Sequence, residues 1–229
     1  MNSSSIFLSA AALLAGALAP LACAAPLPRS ADIRYDVKWG MVSLEALQQW
    51  RLEGTRYTLT TELKLPLAFK NRRYISQGLI NDQGLATTRY DDFQVGEDSP
   101  RNQAVLDRSA QELRYGTPGK QRSLPLQAGL QDLHSLAYQL MWLGDAVEGA
   151  SIPVTNGKGV VQHRFQSALP QAMKIDDMAV VTRRWVSSSS DGSVEVWLAP
   201  AFAQLPVTVI RSQDGRSLRF VAREVRFSP

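Results

Sequence analysis

Cysteine, histidine and amino-terminal charge are nearly absent from this chain. Cys23 is its single cysteine, its histidines are His134 and His163, and the first 24 residues contain no Asp, Glu, Lys or Arg. One thiol cannot form an internal disulfide, and two isolated histidines without short-spaced carboxylate partners do not make a zinc site. No apolar run reaches the ~20 residues that a membrane-spanning helix needs; the relevant one covers residues 6–18. No Gly/Ser/Pro-rich linker divides the chain, so one domain is expected. Two catalytic signatures are missing as well. There is no G-x-S-x-G elbow, and Gly157-Lys158-Gly159 has neither the loop length nor the following helix of a phosphate loop.

What the amino terminus does contain is an uncharged apolar stretch that reads as an export signal. Ala22 and Ala24 supply the small side chains that signal peptidase requires, and Ala25 rather than a proline follows the cut. Cleavage after Ala24 leaves a mature domain over residues 25–229 that has no cysteine, which removes thiol catalysis too. The alternative is acylation at Cys23, which would make that residue a lipid anchor. Pro20 stands where a lipobox carries a branched apolar residue, so cleavage is the expectation.

The formal net charge of +4 belongs wholly to the mature chain, since the signal carries none. Its densest basic clusters are Lys70-Asn71-Arg72-Arg73 and Arg183-Arg184. They read as a solvated basic surface, or as contacts for anionic envelope material such as phospholipid or lipopolysaccharide. Nucleic acid is not an expected partner, because no basic face is interleaved with aromatics and the chain is marked for export.

A two-residue rhythm runs through the mature chain. Ile33, Tyr35, Val37 and Trp39 alternate with Arg34, Asp36 and Lys38, the pattern of a half-buried strand. Leu44, Ala46, Trp50 and Leu52 continue it, and after Glu53-Gly54 it resumes with Tyr57, Leu59, Leu63 and Leu65. Further strands are expected over residues 74–80, 85–95, 103–107, 112–115, 160–165, 178–186, 194–198, 207–210 and 218–227. Asn81-Asp82-Gln83-Gly84, Asn156-Gly157 and Asp214-Gly215 are turn signals between them. Strands at this spacing argue for a curved antiparallel sheet or half-open barrel. One segment differs: Leu130, Leu133, Leu136, Ala137, Leu140 and Met141 have helical spacing, which predicts a single helix over residues 132–143, capped by Asp132 and stopped by Gly144. Such a lone helix must bury its stripe on the sheet.

Several of these segments occur together in one order: Tyr35-Asp36-Val37-Lys38-Trp39-Gly40, Gln131-Asp132-Leu133, Glu195-Val196-Trp197-Leu198-Ala199-Pro200, Leu205-Pro206-Val207 and Asp214-Gly215. In this the chain resembles the exported Gram-negative proteins grouped as domain of unknown function 3108. The resemblance implies a periplasmic β-rich domain, similar in shape to the curved sheets of lipoprotein carriers. It brings no agreed activity and no catalytic residues.

The side chains offer little chemistry. His134 lies at the edge of the helical stripe and reads as a buried or boundary histidine held by a hydrogen bond. A general base paired with Asp132 is the competing reading, and it would also need a nucleophile and an oxyanion donor. His163 reads as an ordinary strand residue, and the serines at 187–190 as a hairpin connection before Asp191-Gly192. Asp91-Asp92 and Asp176-Asp177 are adjacent pairs, and neighbours on a strand point to opposite faces, so neither pair can supply the opposed acids of a glycosidase.

Two apolar features suit binding better. Leu65-Pro66-Leu67-Ala68-Phe69 runs directly into Lys70-Asn71-Arg72-Arg73, so an apolar loop is followed by a cationic one. This pairing can touch an acyl chain and an anionic head together, or it can simply close over the core beside a solvated edge. Met141-Trp142-Leu143 at the helix end reads as core or as lid. The candidate ligand-binding set is Leu67, Phe69, Lys70, Arg72, Arg73, His134, Met141 and Trp142, with no catalytic residue, metal ligand or cofactor. The leading reading is non-enzymatic binding of a lipid-like or other amphipathic envelope molecule in the concavity of the sheet. A second is a scaffold that pairs with an envelope protein through a sheet edge or residues 197–207. A hydrolase is third, and it requires His134 and a serine or acid in one cleft. The binder calls for a cavity, and the scaffold for a long uncovered edge without one.

Overall fold

The computed structural model describes residues 27–66, 69–189 and 192–229. The signal-like segment with Cys23 and Ala24 lies outside the described residues, as does Leu67.

Alternation along the chain becomes one sheet. β1 (Ser30–Trp39) buries Ile33, Tyr35 and Val37 on one face. It pairs with β2 (Val42–Glu53), which turns through Gly54 at φ 60° into β3 (Arg56–Lys64). β4 (Arg72–Asn81), β5 (Gly84–Gln94), β6 (Asn102–Asp107), β7 (Glu112–Gly116) and β8 (Arg122–Pro125) then add outward, each antiparallel to the last. The chain next crosses through β9 (Gln131–Asp132) and the helix α1 (Ser135–Leu143). It returns from the far edge as β10 (Ser151–Thr155), β11 (Val160–Ile175), β12 (Met178–Ser189), β13 (Gly192–Ala199), β14 (Leu205–Gln213) and β15 (Arg216–Ser228). β15 closes on β1, so the first strand sits in the middle of a 15-stranded sheet with β8 and β9 at its ends. The β9–β10 pair is the parallel one.

The sheet curves until its two halves meet without a closing ladder. Gln131 Nε2 on β9 donates to the Leu85 carbonyl on β5 at 2.7 Å. The β10–β11 turn leans on β6 so closely that a Cβ on Gly157 would lie 3.3 Å from Asn102. The helix fills the concave side and packs against β5, β9 and β14. Its residues from Ser135 to Met141 are all buried, because sheet surrounds it. The deepest part of the core is an aromatic stack in which Trp50 lies 4.6 Å from Tyr138 and 5.3 Å from Tyr57, ring centre to ring centre.

The helix begins at Ser135 rather than at residue 132, yet Asp132 is its cap. Asp132 Oδ1 accepts from the backbone N–H groups of His134 at 2.8 Å and Ser135 at 3.0 Å. Ser135 Oγ in return accepts from the Asp132 N–H at 3.0 Å. This reciprocal box satisfies donors that a helix start otherwise leaves open. Gly144, at φ 56°, ends the helix and sends its N–H to the Leu140 carbonyl.

β8, β9 and β10 lie outside the strands expected from the sequence, and two further segments differ from that reading. β11 runs past residue 165 to Ile175, taking Pro170 into a bulge where the register with β12 shifts between Ala168 and Gln171. A bulge tolerates the missing N–H of proline. Its turn is Asp176-Asp177, both at positive φ. Ser187 to Ser189 belong to β12 rather than to a connection, and Ser187 is buried against His163 Nδ1 at 2.9 Å.

Candidate functional site

A cavity of about 250 Å³ lies between the start of α1 and the concave face of the sheet. Its apolar wall includes Leu63, Leu133, Leu136, Ala137, Val194, Val209, Leu218 and Phe220. Residues near one set of hairpin turns frame it: Arg72 and Asp92 from β4 and β5, Asn156 and Lys158 from the β10–β11 turn, and Arg211 from β14. The cavity therefore joins an apolar interior to a polar, mainly cationic side.

A hydrogen-bonded chain crosses the inner wall. Tyr35 OH lies 2.6 Å from the Pro206 carbonyl and 3.3 Å from Gln48 Oε1, which Tyr138 OH approaches at 3.2 Å. Gln48 Nε2 donates to Thr61 Oγ1 at 3.0 Å, and Thr61 Oγ1 meets His134 Nδ1 at 3.2 Å. Buried polar groups joined in this way fix side-chain positions that apolar contacts alone leave free. Burial, and next the neighbouring Tyr138, pushes the Tyr35 phenol well above its ordinary pKa. His134 stacks on Tyr74 with ring centres 4.7 Å apart. Burial first, and the Arg211 charge second, pull its pKa down to about 4, so the ring is neutral at pH 7.

A second polar knot lies behind the helix start, and it holds the two halves of the sheet together. Asp132, Ser76, Thr87, Gln131 and Ser135 are fully buried. Ser76 Oγ donates to Asp132 Oδ2, and Thr87 Oγ1 meets Tyr57 OH at 2.7 Å and Ser135 Oγ at 3.1 Å. Burial raises the Asp132 pKa. Gly78 lets the knot close, since a Cβ there would lie 2.4 Å from the Ala86 carbonyl.

The structure brings Arg72 and His134 of the expected ligand set to this cavity. Arg72 is held by a salt bridge to Asp92, whereas Arg73, one residue on, faces the other way over Phe93 at 5.2 Å. Phe69 is 64% exposed and Lys70 pairs with Glu97 at 3.0 Å, both away from the lining. Met141 is buried in the main core, and Trp142 packs against that core half-buried. Leu67 is outside the described residues. Sequence reasoning missed Gln48, Thr61, Tyr74, Tyr90, Asp92, Lys158 and Arg211. A signal existed for two of them: Gln48 falls in phase with Ala46 and Trp50, and Thr61 with Leu59 and Leu63, so each is a polar residue on a buried face.

His134 meets Thr61 rather than a carboxylate, and Ser76 and Asp132 face each other with no exposed surface. Asp91 and Asp92 do point apart: Asp91 pairs with Arg89 at 2.6 Å, and Asp92 with Arg72 inside. Among the described residues no three of His, Cys, Asp and Glu come together as metal ligands. Among the same residues no helix is long and apolar enough to cross a membrane.

The family model of the proteins of unknown function DUF3108 matches residues 34–219. No curated protein matches the chain in sequence. Among solved structures, the beta-barrel-like protein of domain of unknown function DUF1849 from Brucella abortus is 10% identical and superposes with a TM-score of 0.57, covering 86% of this chain and 97% of its own. That likeness concerns the fold alone. A domain assigned to outer membrane lipoprotein sorting from Vibrio parahaemolyticus is 9% identical over 86% of this chain and 85% of its own, with a TM-score of 0.29 that is too low to establish a shared fold.

Proposed function

The chain belongs to the DUF3108 family of proteins of unknown function, and we propose that it is a non-enzymatic binding protein whose cavity takes one acyl chain or a similarly narrow amphipathic molecule. The carrying observation is the cavity itself, about 250 Å³ with apolar residues from helix and sheet on its walls. Drug-sized pockets run to ~300–1,000 Å³, so the volume supports one short chain rather than a whole diacyl lipid. The inner polar chain ends on neutral groups, which makes no demand for a buried counter-charge at the tail end. Arg72 and His134 act as lining residues in this reading, Met141 and Trp142 support the helix, and Phe69 with Lys70 stands in a loop beside the same set of turns.

The uncharged apolar amino terminus supports a periplasmic location, with release by cleavage after Ala24 in preference to acylation at Cys23. The scaffold reading draws less support, because the exposed edge strand β8 is only 4 residues long and ends in Pro125, a form that resists edge pairing. A pKa near 4 also makes His134 a weak base at neutral pH, which is the ground for preferring binding to catalysis.

Titration with the neutral fluorophore N-phenyl-1-naphthylamine tests the proposal. The expected result is saturable enhancement at one site per chain. Filling the cavity from the helix side with Ala137→Phe, or from the sheet side with Val209→Phe, weakens it at least tenfold while cooperative unfolding persists. No saturable binding by the parent chain, or binding unchanged in both folded variants, would overturn it.

A further inference from the structure

We infer that the cavity recognises an acyl carbonyl, with His134 donating from its Nε2–H to that oxygen while the chain beyond it lies in the apolar interior. This rests on the proposed binding function and adds the chemical group by which the ligand is held.

The recognition is built on one rung of the sheet. Gln48 of β2 pairs with Thr61 of β3, Thr61 with Tyr74 of β4, and Tyr74 with Asp92 of β5, and all four line the cavity. The inward positions beside them on β2 and β3 are apolar and buried: Ala46 and Trp50 flank Gln48, and Leu59 and Leu63 flank Thr61. His134, at the start of α1, lies over this polar row. Its Nδ1 is 3.2 Å from Thr61 Oγ1, and its ring centre is 4.7 Å from that of Tyr74.

The direction of the hydrogen bonds fixes the tautomer of His134. Tyr138 OH donates to Gln48 Oε1 at 3.2 Å, which turns the amide nitrogen of Gln48 toward Thr61, where it donates to Oγ1 at 3.0 Å. The Thr61 hydroxyl accepts that bond and sends its own proton to His134 Nδ1. Nδ1 is then the unprotonated nitrogen. The ring is neutral at pH 7, with a pKa of about 4, so its single proton is on Nε2. Nε2 has no hydrogen-bond partner among the described residues, and unlike Trp185 Nε1 it is not an enclosed orphan. The half-buried ring lines the cavity, so its N–H is a donor for what the cavity holds.

A neutral donor in an apolar wall calls for an acceptor and for no counter-charge. The acceptors of the rung are already engaged: Gln48 Oε1 by Tyr35 and Tyr138, Thr61 Oγ1 by Gln48, and Asp92 by Arg72. A carbonyl, which only accepts, fits this wall better than a hydroxyl, which brings a proton of its own to place. Leu63, Leu133, Leu136 and Ala137 line the same cavity and supply contact for the attached chain.

Displacement of N-phenyl-1-naphthylamine by methyl decanoate, N-methyldecanamide and 1-chlorodecane at pH 7 tests this on the whole chain. His134→Leu is expected to weaken the two carbonyl compounds about five- to tenfold, as loss of one neutral hydrogen bond does, and 1-chlorodecane by less than about twofold. His134→Gln, which can present an N–H near the place of Nε2, restores part of the difference. Tighter binding of the ester or of the amide supports the assignment and names the linkage. Nitrogen-15 NMR of the parent chain, which needs no variant, should find the His134 proton on Nε2. Methyl decanoate moves that N–H signal downfield and 1-chlorodecane leaves it in place, while Thr61→Val mixes the two tautomers. If the fluorophore binds but His134→Leu weakens all three ligands equally, or the parent carries the proton on Nδ1, the carbonyl assignment is wrong while the binding function stands. If the fluorophore does not bind at all, the underlying function fails with it.

Discussion

Replacing Asp132 tests whether the polar knot holds the helix to the sheet. Its carboxylate accepts from two backbone N–H groups at the helix start and from the Ser76 hydroxyl, all in full burial. Asp132→Ala removes the cap, worth about 0.5–2 kcal/mol, and strands a buried hydroxyl, worth about 1–3 kcal/mol. The expected loss is roughly 2–4 kcal/mol, since relief of the buried charge offsets part of the total. Asp132→Asn keeps an oxygen for the helix N–H groups and turns an amide toward Ser76, so it costs under about 1 kcal/mol. Urea unfolding across pH separates the contributions. Burial raises the Asp132 pKa, so the folded chain holds this proton more tightly than the unfolded one. The stability the parent chain has relative to Asp132→Asn is therefore greatest below the ordinary carboxylate range and declines as pH rises through the raised pKa. An alanine variant within about 1 kcal/mol of the parent, or a parent-minus-asparagine difference that does not change with pH, would refute the reasoning.

Trp50 and His134 give two further outcomes. Trp50 is stacked between Tyr57 and Tyr138 and sends its indole N–H to the Pro28 carbonyl at 2.7 Å. Trp50→Ala should cost about 3–5 kcal/mol in urea unfolding and Trp50→Phe less than half of that; a loss under about 1 kcal/mol for alanine contradicts the stack's role. His134, with a pKa of about 4, should keep a neutral ring signal in NMR from pH 8 down to pH 5.5. Its lowered pKa contributes stability that is present above the unfolded value near 6.5 and is lost as pH falls through 4. Titration of His134 near pH 6.5 contradicts its placement.

The strands with strict alternation were legible because one face of each meets the core, as in Ile33, Tyr35 and Val37. The helix was legible for the same reason, together with the cap at Asp132 and the stop at Gly144. Less was readable where long-range contact decides. β9 and β10 are short and owe their place to pairing with each other and with β11. The alternation around residues 160–165 gave no sign that β11 continues through Pro170, where a bulge accommodates the proline. In the candidate site, adjacency in sequence was misleading: Lys70, Arg72 and Arg73 formed one cluster on paper, but strand alternation sends Arg72 inward and Arg73 outward. Lys158 and Arg211 come to the cavity from turns and strands far along the chain, which no local pattern shows. The family-like segments meet in the fold, with Tyr35 of the opening bonded to Pro206 of the tail and Gln131-Asp132 in the knot.

The location of a bound chain is the most direct test. In methyl-labelled protein mixed with decanoate, nuclear Overhauser contacts should connect the ligand methylenes to Leu63, Leu136, Val194 and Val209, which face the cavity from four separate elements. Contacts confined to exposed methyl groups such as Met41 and Leu169, or none under conditions where the fluorophore is displaced, would contradict a ligand inside the sheet.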